Sequence, residues 1–195
     1  MNVMTAAGIR FATAEDLPAV CAVVNHYIET TAANFRTEPQ QPHEWLEQWE
    51  RGHRTHPWLV AEVDGEVAGI SYAFPWKARA AYAWTVECAV YLAPGQHGRG
   101  LGRALYERLF ALLSEQGFHS VIAGVALPNP ASEGLHRSLG FRQVGTFREN
   151  GYKMGSWRDV SYWQRPLAAH SGAPAPTAPA PTAPVPAAQE AVGAE

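Results

Sequence analysis

The stretch from Ala83 to Gly117 constrains the fold more than any other part of the chain. An alternating apolar run, Ala83–Leu92, passes through Pro94 into Gly95-Gln96-His97-Gly98-Arg99-Gly100-Leu101-Gly102-Arg103. Leu101, Leu105, Leu109 and Leu112 then recur at helical spacing until Gly117. A period of two followed by a period of 3.6 predicts a strand, a tight turn and a helix that glycine stops. The alternation turns Trp84, Val86, Cys88 and Val90 to one face, and Thr85, Glu87, Ala89 and Tyr91 to the other. Glycines at the start of a helix let a ligand approach backbone N–H groups that have no partner in the helix, where the dipole favours an anion. Arg99 and Arg103 add positive charge. The turn is therefore a candidate phosphate or pyrophosphate site. It lacks the Gly-Lys-Ser/Thr of a Walker A loop, and no acidic residue sits where a dinucleotide fingerprint needs one. A helix cap with spare glycines is the plainer reading of the turn taken alone.

The rest of the chain reads as further strands and helices around this unit. Ile9–Ala12 is a strand, and Thr13 with Asp16 has the form of a capping box before a helix that reaches about Thr30. Thr31–Pro42 is a loop, and His43–Arg51 is a helix. Trp58–Val63 and Val67–Phe74 flank Asp64-Gly65, a hairpin signal. Val121–Leu127 is a buried strand, and Asn129-Pro130 opens a helix that Gly140 closes. Phe141–Phe147 and Asp159–Arg165 are the last strands. The predicted order is β-α-α-β-β-β-α-β-α-β-β.

Residues 168–195 contain 11 Ala and 6 Pro, too little apolar bulk to offset the entropy of ordering, which predicts a disordered tail. The body, 1–167, has the size of one domain. With a net charge of −3 and scattered Lys and Arg there is no basic stripe for a nucleic acid. No run is long and apolar enough for a membrane span. The N-terminus lacks a signal-peptide pattern, and two cysteines do not make a disulfide framework, so a cytoplasmic setting is expected. Histidine spacing gives no metal site.

Glu87 is the one acid in an otherwise apolar strand, and its surroundings predict a partly desolvated carboxylate suited to act as a base. The alternative is a Glu that neutralises a nearby Arg. His136 is a candidate acid or positioning group, against the plainer reading of a satisfied structural histidine. Lys77, Arg79, Tyr82 and Thr85 lie beside Glu87 in sequence and are candidates to hold an anionic ligand. Cys88 is a candidate nucleophile, but alternation turns it away from Glu87 and no His is locally placed to activate it.

His97-Gly98-Arg99-Gly100-Leu101-Gly102 resembles the acetyl-CoA pyrophosphate loop of the GNAT superfamily, with His97 where Gln or Arg is usual. Asn129, followed by Leu135-His136-Arg137-Ser138-Leu139-Gly140-Phe141, resembles the superfamily's second block, with His136 where Tyr is common. Residues 19–40, 57–92 and 155–164 are similar to the phosphinothricin N-acetyltransferase subfamily. The resemblance implies an α/β GNAT acyl-CoA N-acyltransferase fold over 1–167, a mixed sheet of about 6–7 strands with about 4 helices. It implies acetyl-CoA as donor, a homodimer, Glu87 as general base and a substrate pocket partly built by the loop holding Phe35. It also implies that the backbone of Val90 and Leu92 pairs with pantetheine amides and that Asn129 meets the cofactor. The substrate it implies is the amino group of a glutamate analogue: phosphinothricin, methionine sulfoximine or methionine sulfone. Acetylation of a peptide N-terminus, protein lysine or polyamine, and an idle acyl-CoA-binding module, are the rival readings.

Overall fold

The computed structural model describes residues 8–167 and 172–181. The two hydrophobic periods resolve into strands β1 (Gly8–Phe11), β2 (Trp58–Val63), β3 (Glu66–Pro75), β4 (Thr85–Leu92), β5 (Ser120–Ala126), β6 (Arg142–Lys153) and β7 (Ser156–Pro166). The helices are α1 (Leu17–Thr30), α2 (Pro42–Gly52), α3 (Leu101–Glu115) and α4 (Pro130–Ser138). The strands form one sheet in the order β1-β2-β3-β4-β5-β7-β6. All neighbours are antiparallel except β4 and β5. This is the expected mixed α/β fold.

Alternation along β4 assigns each face its own core. Val86 and Cys88 pack with Leu105, Tyr106, Leu109 and Leu113 of α3. On the other face Val20, Val24 and Ile28 of α1 and Trp45 of α2 cover Trp58, Val60 and Ile70. Each fully buried Leu, Ile or Val contributes about 1.5–3 kcal/mol.

Helix starts follow local chemistry. The Thr13 N–H donates to Asp16 Oδ2 at 2.8 Å, as a capping box requires, but a 3₁₀ turn (Ala14–Asp16) precedes α1. Gln41 and Glu44 form a second box at α2, which begins at Pro42 rather than His43. Asn129 Oδ1 accepts the Ser132 N–H at α4.

Two regions differ from the sequence-based expectation. Strands β6 and β7 extend well past Phe147 and before Asp159, meeting at Met154-Gly155. Residues 148–158 are mostly exposed and carry no clear strand period, so pairing along the hairpin, not burial, makes them extended. The Pro/Ala composition predicts no order from 168 on. Residues 168–171 and 182–195 lie outside the described residues, but 172–181 runs along the body. Trp84 Nε1 donates to the Ala175 carbonyl at 2.7 Å, Gln116 bonds both backbone groups of Ala178, and the Ala180 N–H donates to the Arg54 carbonyl. Proline has already fixed much of this segment's backbone, so a few hydrogen bonds suffice to seat it.

Asp16 is buried, and burial alone pushes its carboxyl pKa up. Two hydrogen bonds from Arg10 at 2.6 and 2.7 Å, with the Thr13 N–H, outweigh burial and hold it below its ordinary value. A depressed carboxyl pKa gives stability that is present above the unfolded value and lost as pH falls through the folded one. Arg10→Met is expected to cost about 1–2 kcal/mol at neutral pH, and less as the pH drops below about 4. Thermal melts across pH check this; a pH-independent loss would assign the effect to packing.

Candidate active site

The parallel ladder between β4 and β5 holds only from Thr85–Ser120 to Glu87–Ile122. Beyond it β4 continues to Leu92 and β5 to Ala126, each still paired on its outer edge. The two inner edges therefore diverge, and a cleft of about 460 Å³ opens between them. Its walls are Cys88–Leu92 and Ala123–Ala126, and the glycine turn, α4, Tyr27 and Ala33 complete the lining.

The turn forms an open cradle. Gly98 and Gly100 have φ of +74° and +79°, the left-handed region that L side chains rarely adopt, and nothing lies within 4 Å of a Cβ placed on either. Gly100 is the N-cap of α3. Tyr27 Oη bridges the turn to β4: it donates to the Leu92 carbonyl at 2.7 Å and lies 2.8 Å from His97 Nε2. Its hydrogen is committed to the carbonyl, so His97 Nε2 is the donor in the second bond.

Glu87 stands where the ladder ends, at the vertex of the opening. Its Oε1 lies 3.5 Å from the position of a Gly124 Cβ, an ordinary contact distance that sets the carboxylate beside the β5 wall. Burial raises the Glu87 carboxyl pKa above its ordinary 4.5, and the Lys77 ammonium offsets part of that rise. The charge of Glu87 is felt by Tyr72, Tyr91 and Tyr162, whose phenols burial keeps above the ordinary range. Arg36 acts on Tyr72 and Tyr91 in the opposite sense. The vertex is thus a half-buried carboxylate ringed by neutral phenols with cations nearby.

His136 is buried in α4 against Tyr106, Phe141 and Trp163. Its Nδ1 is 2.8 Å from the Ser132 carbonyl, which only accepts, so Nδ1 carries hydrogen. Burial lowers its pKa, with the Ser132 bond opposing, so the ring is neutral near pH 7 and Nε2 is left with a free lone pair. Nε2 is buried without a partner among the described residues, and the ring lines the cleft.

Of the residues singled out in the sequence, Val90, Leu92, His97, Gly98, Gly100, Leu101, Gly102, Arg103, Asn129 and His136 line this one cleft. Arg99 does not; its guanidinium bonds Gln96. Thr85 is half-buried at the closed end of the ladder, and Lys77 lies over the Trp76 ring at 4.7 Å. Arg79 caps an exposed 3₁₀ turn that holds Tyr82, and neither lines the cleft. Phe35 packs on Gly151 of β6. Sequence reasoning passed over Tyr72, Tyr162 and Arg36 and the β5 wall. Tyr91 was legible, since alternation puts it on the Glu87 face.

A splayed β4–β5 pair above a glycine cradle, with unpaired strand edges and an orphaned His136 nitrogen, fits an extended thioester cofactor carrying a pyrophosphate. The Acetyltransferase (GNAT) family model matches residues 21–141, and the chain belongs to that family. It is an N-acetyltransferase, with acetyl-CoA as the acetyl donor. Among individual proteins, it is 56% identical over 157 residues to a phosphinothricin N-acetyltransferase of Streptomyces viridochromogenes, covering 80% of this chain and 86% of that one. It is 36% identical to an L-methionine sulfoximine/L-methionine sulfone acetyltransferase of Salmonella typhimurium, covering 84% and 96%. A crystal structure of a phosphinothricin acetyltransferase from Sinorhizobium meliloti in complex with AcCoA superposes with a TM-score of 0.79 at 33% identity, covering 83% and 88%.

Desolvation at Glu87 has a consequence for stability. A carboxyl whose folded pKa is raised makes the fold less stable as pH climbs from the ordinary value through the raised one. Glu87→Gln is therefore expected to raise the melting temperature at about pH 7.5, with the gain disappearing below about pH 4. A variant no more stable than the parent at neutral pH would show that the carboxylate is well solvated.

Proposed function

We propose that this enzyme acetylates the amino group of small glutamate-like amino acids, with phosphinothricin, methionine sulfoximine and methionine sulfone as the substrate class. The observation that carries the mechanism is the half-buried Glu87 at the vertex where the β4–β5 ladder ends, its Oε1 beside Gly124 of the β5 wall. Acetyl-CoA supplies the acetyl group as a thioester. An amine attacks only when neutral, so the protein must remove a proton from an ammonium ion. Glu87, with its pKa raised toward the working pH, takes that proton directly or through one water. His136 is neutral and offers a lone pair at Nε2, so it positions by accepting a hydrogen bond; to act as an acid it must first gain a proton.

The acceptor's anionic groups face Lys77 and Arg36, the cations whose charge reaches the Glu87 side, with Arg79 and Tyr82 on the adjoining exposed turn. The names of the relatives support the same class. Cys21 and Cys88 are free and buried, in keeping with a reducing, cytoplasmic setting.

A thiol-release assay on phosphinothricin, methionine sulfoximine, methionine sulfone, glutamate, an aminoglycoside and a short peptide tests the substrate. A glutamate-like compound is expected to turn over best, with kcat/KM reduced about 10²–10⁴-fold in Glu87→Gln and its acid limb lost. Turnover of the peptide or aminoglycoside alone would refute the substrate class, and unchanged turnover in Glu87→Gln would remove the base assignment.

The enzyme acts as a homodimer in this reading, through the β6–β7 hairpin. Val144, Phe147, Tyr152 and Trp157 are each 58–60% exposed there, a large apolar set for a free surface. Trp157→Glu with Phe147→Glu is expected to give a monomer in analytical ultracentrifugation; a dimer unaffected by both changes places the interface elsewhere.

A further inference from the structure

The hairpin also carries a buried cation that the chemistry above does not use. Lys153 is 7% exposed, and its Nζ donates to the Ile28 and Asn34 carbonyls, both at 2.6 Å. The Ile28 carbonyl lies in the last turn of α1, where acceptors lack helical partners and the dipole end is negative. Asn34 belongs to the loop between α1 and α2 and is held on every side. Lys153 takes its carbonyl, its Oδ1 accepts the Arg36 N–H at 2.9 Å, and its Nδ2 reaches the Tyr91 hydroxyl at 3.1 Å. Two residues before Lys153, Gly151 leaves its Cβ position free for the Phe35 ring; any side chain there would overlap it.

The loop pinned in this way separates two spaces. Ala33 lines the cofactor cleft. Arg36 lines a second cavity of about 450 Å³ with Tyr72 and Phe74. Phe74 is the direct β3 partner of Glu87, so that cavity borders the Glu87 face of the sheet. The carbonyl that Lys153 holds sits between the residue facing one space and the residue facing the other.

We propose that Lys153 is a positioning residue of the acceptor site, resting on the substrate class inferred above. Acting with Gly151, it fixes Phe35 and Arg36 at the mouth above Glu87. Two converging carbonyls need a group that only donates, and an ammonium supplies three N–H bonds without an acceptor. Charge-assisted bonds to both offset the burial that pushes the Lys153 pKa down.

Lys153→Met removes the donors and keeps most of the bulk. Gly151→Ala keeps the cation and crowds only Phe35, so it carries the same test should the first variant not fold. In both, KM for the acceptor is expected to rise about tenfold or more while KM for acetyl-CoA stays within about twofold, a split that a loss of active protein does not produce. Trypsin cleavage after Arg36 reads the loop with no acceptor present, and it is expected to quicken at least about tenfold in both variants. Unchanged acceptor KM, or unchanged cleavage, overturns the proposal. Wild-type silence on the glutamate-like compounds, with cleavage quickened as expected, would instead overturn the substrate class and leave the clamp standing.

Discussion

The end of the β4–β5 ladder at Glu87 and Ile122 is the constraint on which the rest of this structure depends. Were the two strands paired to their ends, backbone groups would satisfy one another and no ligand could enter the sheet. Their divergence leaves two polar edges facing a shared space. Each diverging strand remains laddered along its outer edge, β4 to β3 and β5 to β7. The opening is therefore held by the sheet rather than by a loop, which suits a site that must keep reacting groups in fixed register.

Polar groups are spent sparingly around this opening, and each is placed where burial alters its chemistry. Glu87 becomes a better base, and His136 stays neutral. Lys153 is held by the Ile28 and Asn34 carbonyls rather than by a carboxylate. Tyr27 joins α1 to both the last residue of β4 and the glycine turn. A disturbance of α1 is thereby transmitted to the glycine turn and to one wall of the cleft.

What could be read in the sequence was whatever is local. The period-two run at Thr85–Leu92, the glycines after it and the leucine repeat of α3 each follow from a few neighbouring residues, and they placed Glu87 and the cradle. The β5 wall was not legible, because Val121–Leu127 reads as any buried strand and only its pairing partner makes it splay. The outer half of the β6–β7 hairpin was missed because Arg148–Arg158 has no apolar period and is extended by pairing alone. Lys153 gave no signal either: a lysine is ordinarily solvated, and its burial arises from contacts with residues 28 and 34, more than a hundred positions away. Arg36 was overlooked for the same reason, since its nearness to Tyr72 and Tyr91 is set by the loop's tether.

The chemistry of Cys88 bears on the choice between direct transfer and an acyl-enzyme. Cys88 lines the cofactor cleft, so position alone does not exclude it as a nucleophile. Burial, however, pushes its thiol up to about 12, the opposite of what activation requires. The reactive thiolate is then on the order of one part in 10⁵ at neutral pH. Its side chain faces the α3 core beside Tyr106, itself kept protonated by burial, and strand alternation sends Glu87 to the far side of the sheet. The half-buried carboxylate at the vertex, where the ladder ends, is thus turned away from the thiol. A thiol held protonated by burial is in keeping with the direct transfer proposed above rather than with an acyl-enzyme.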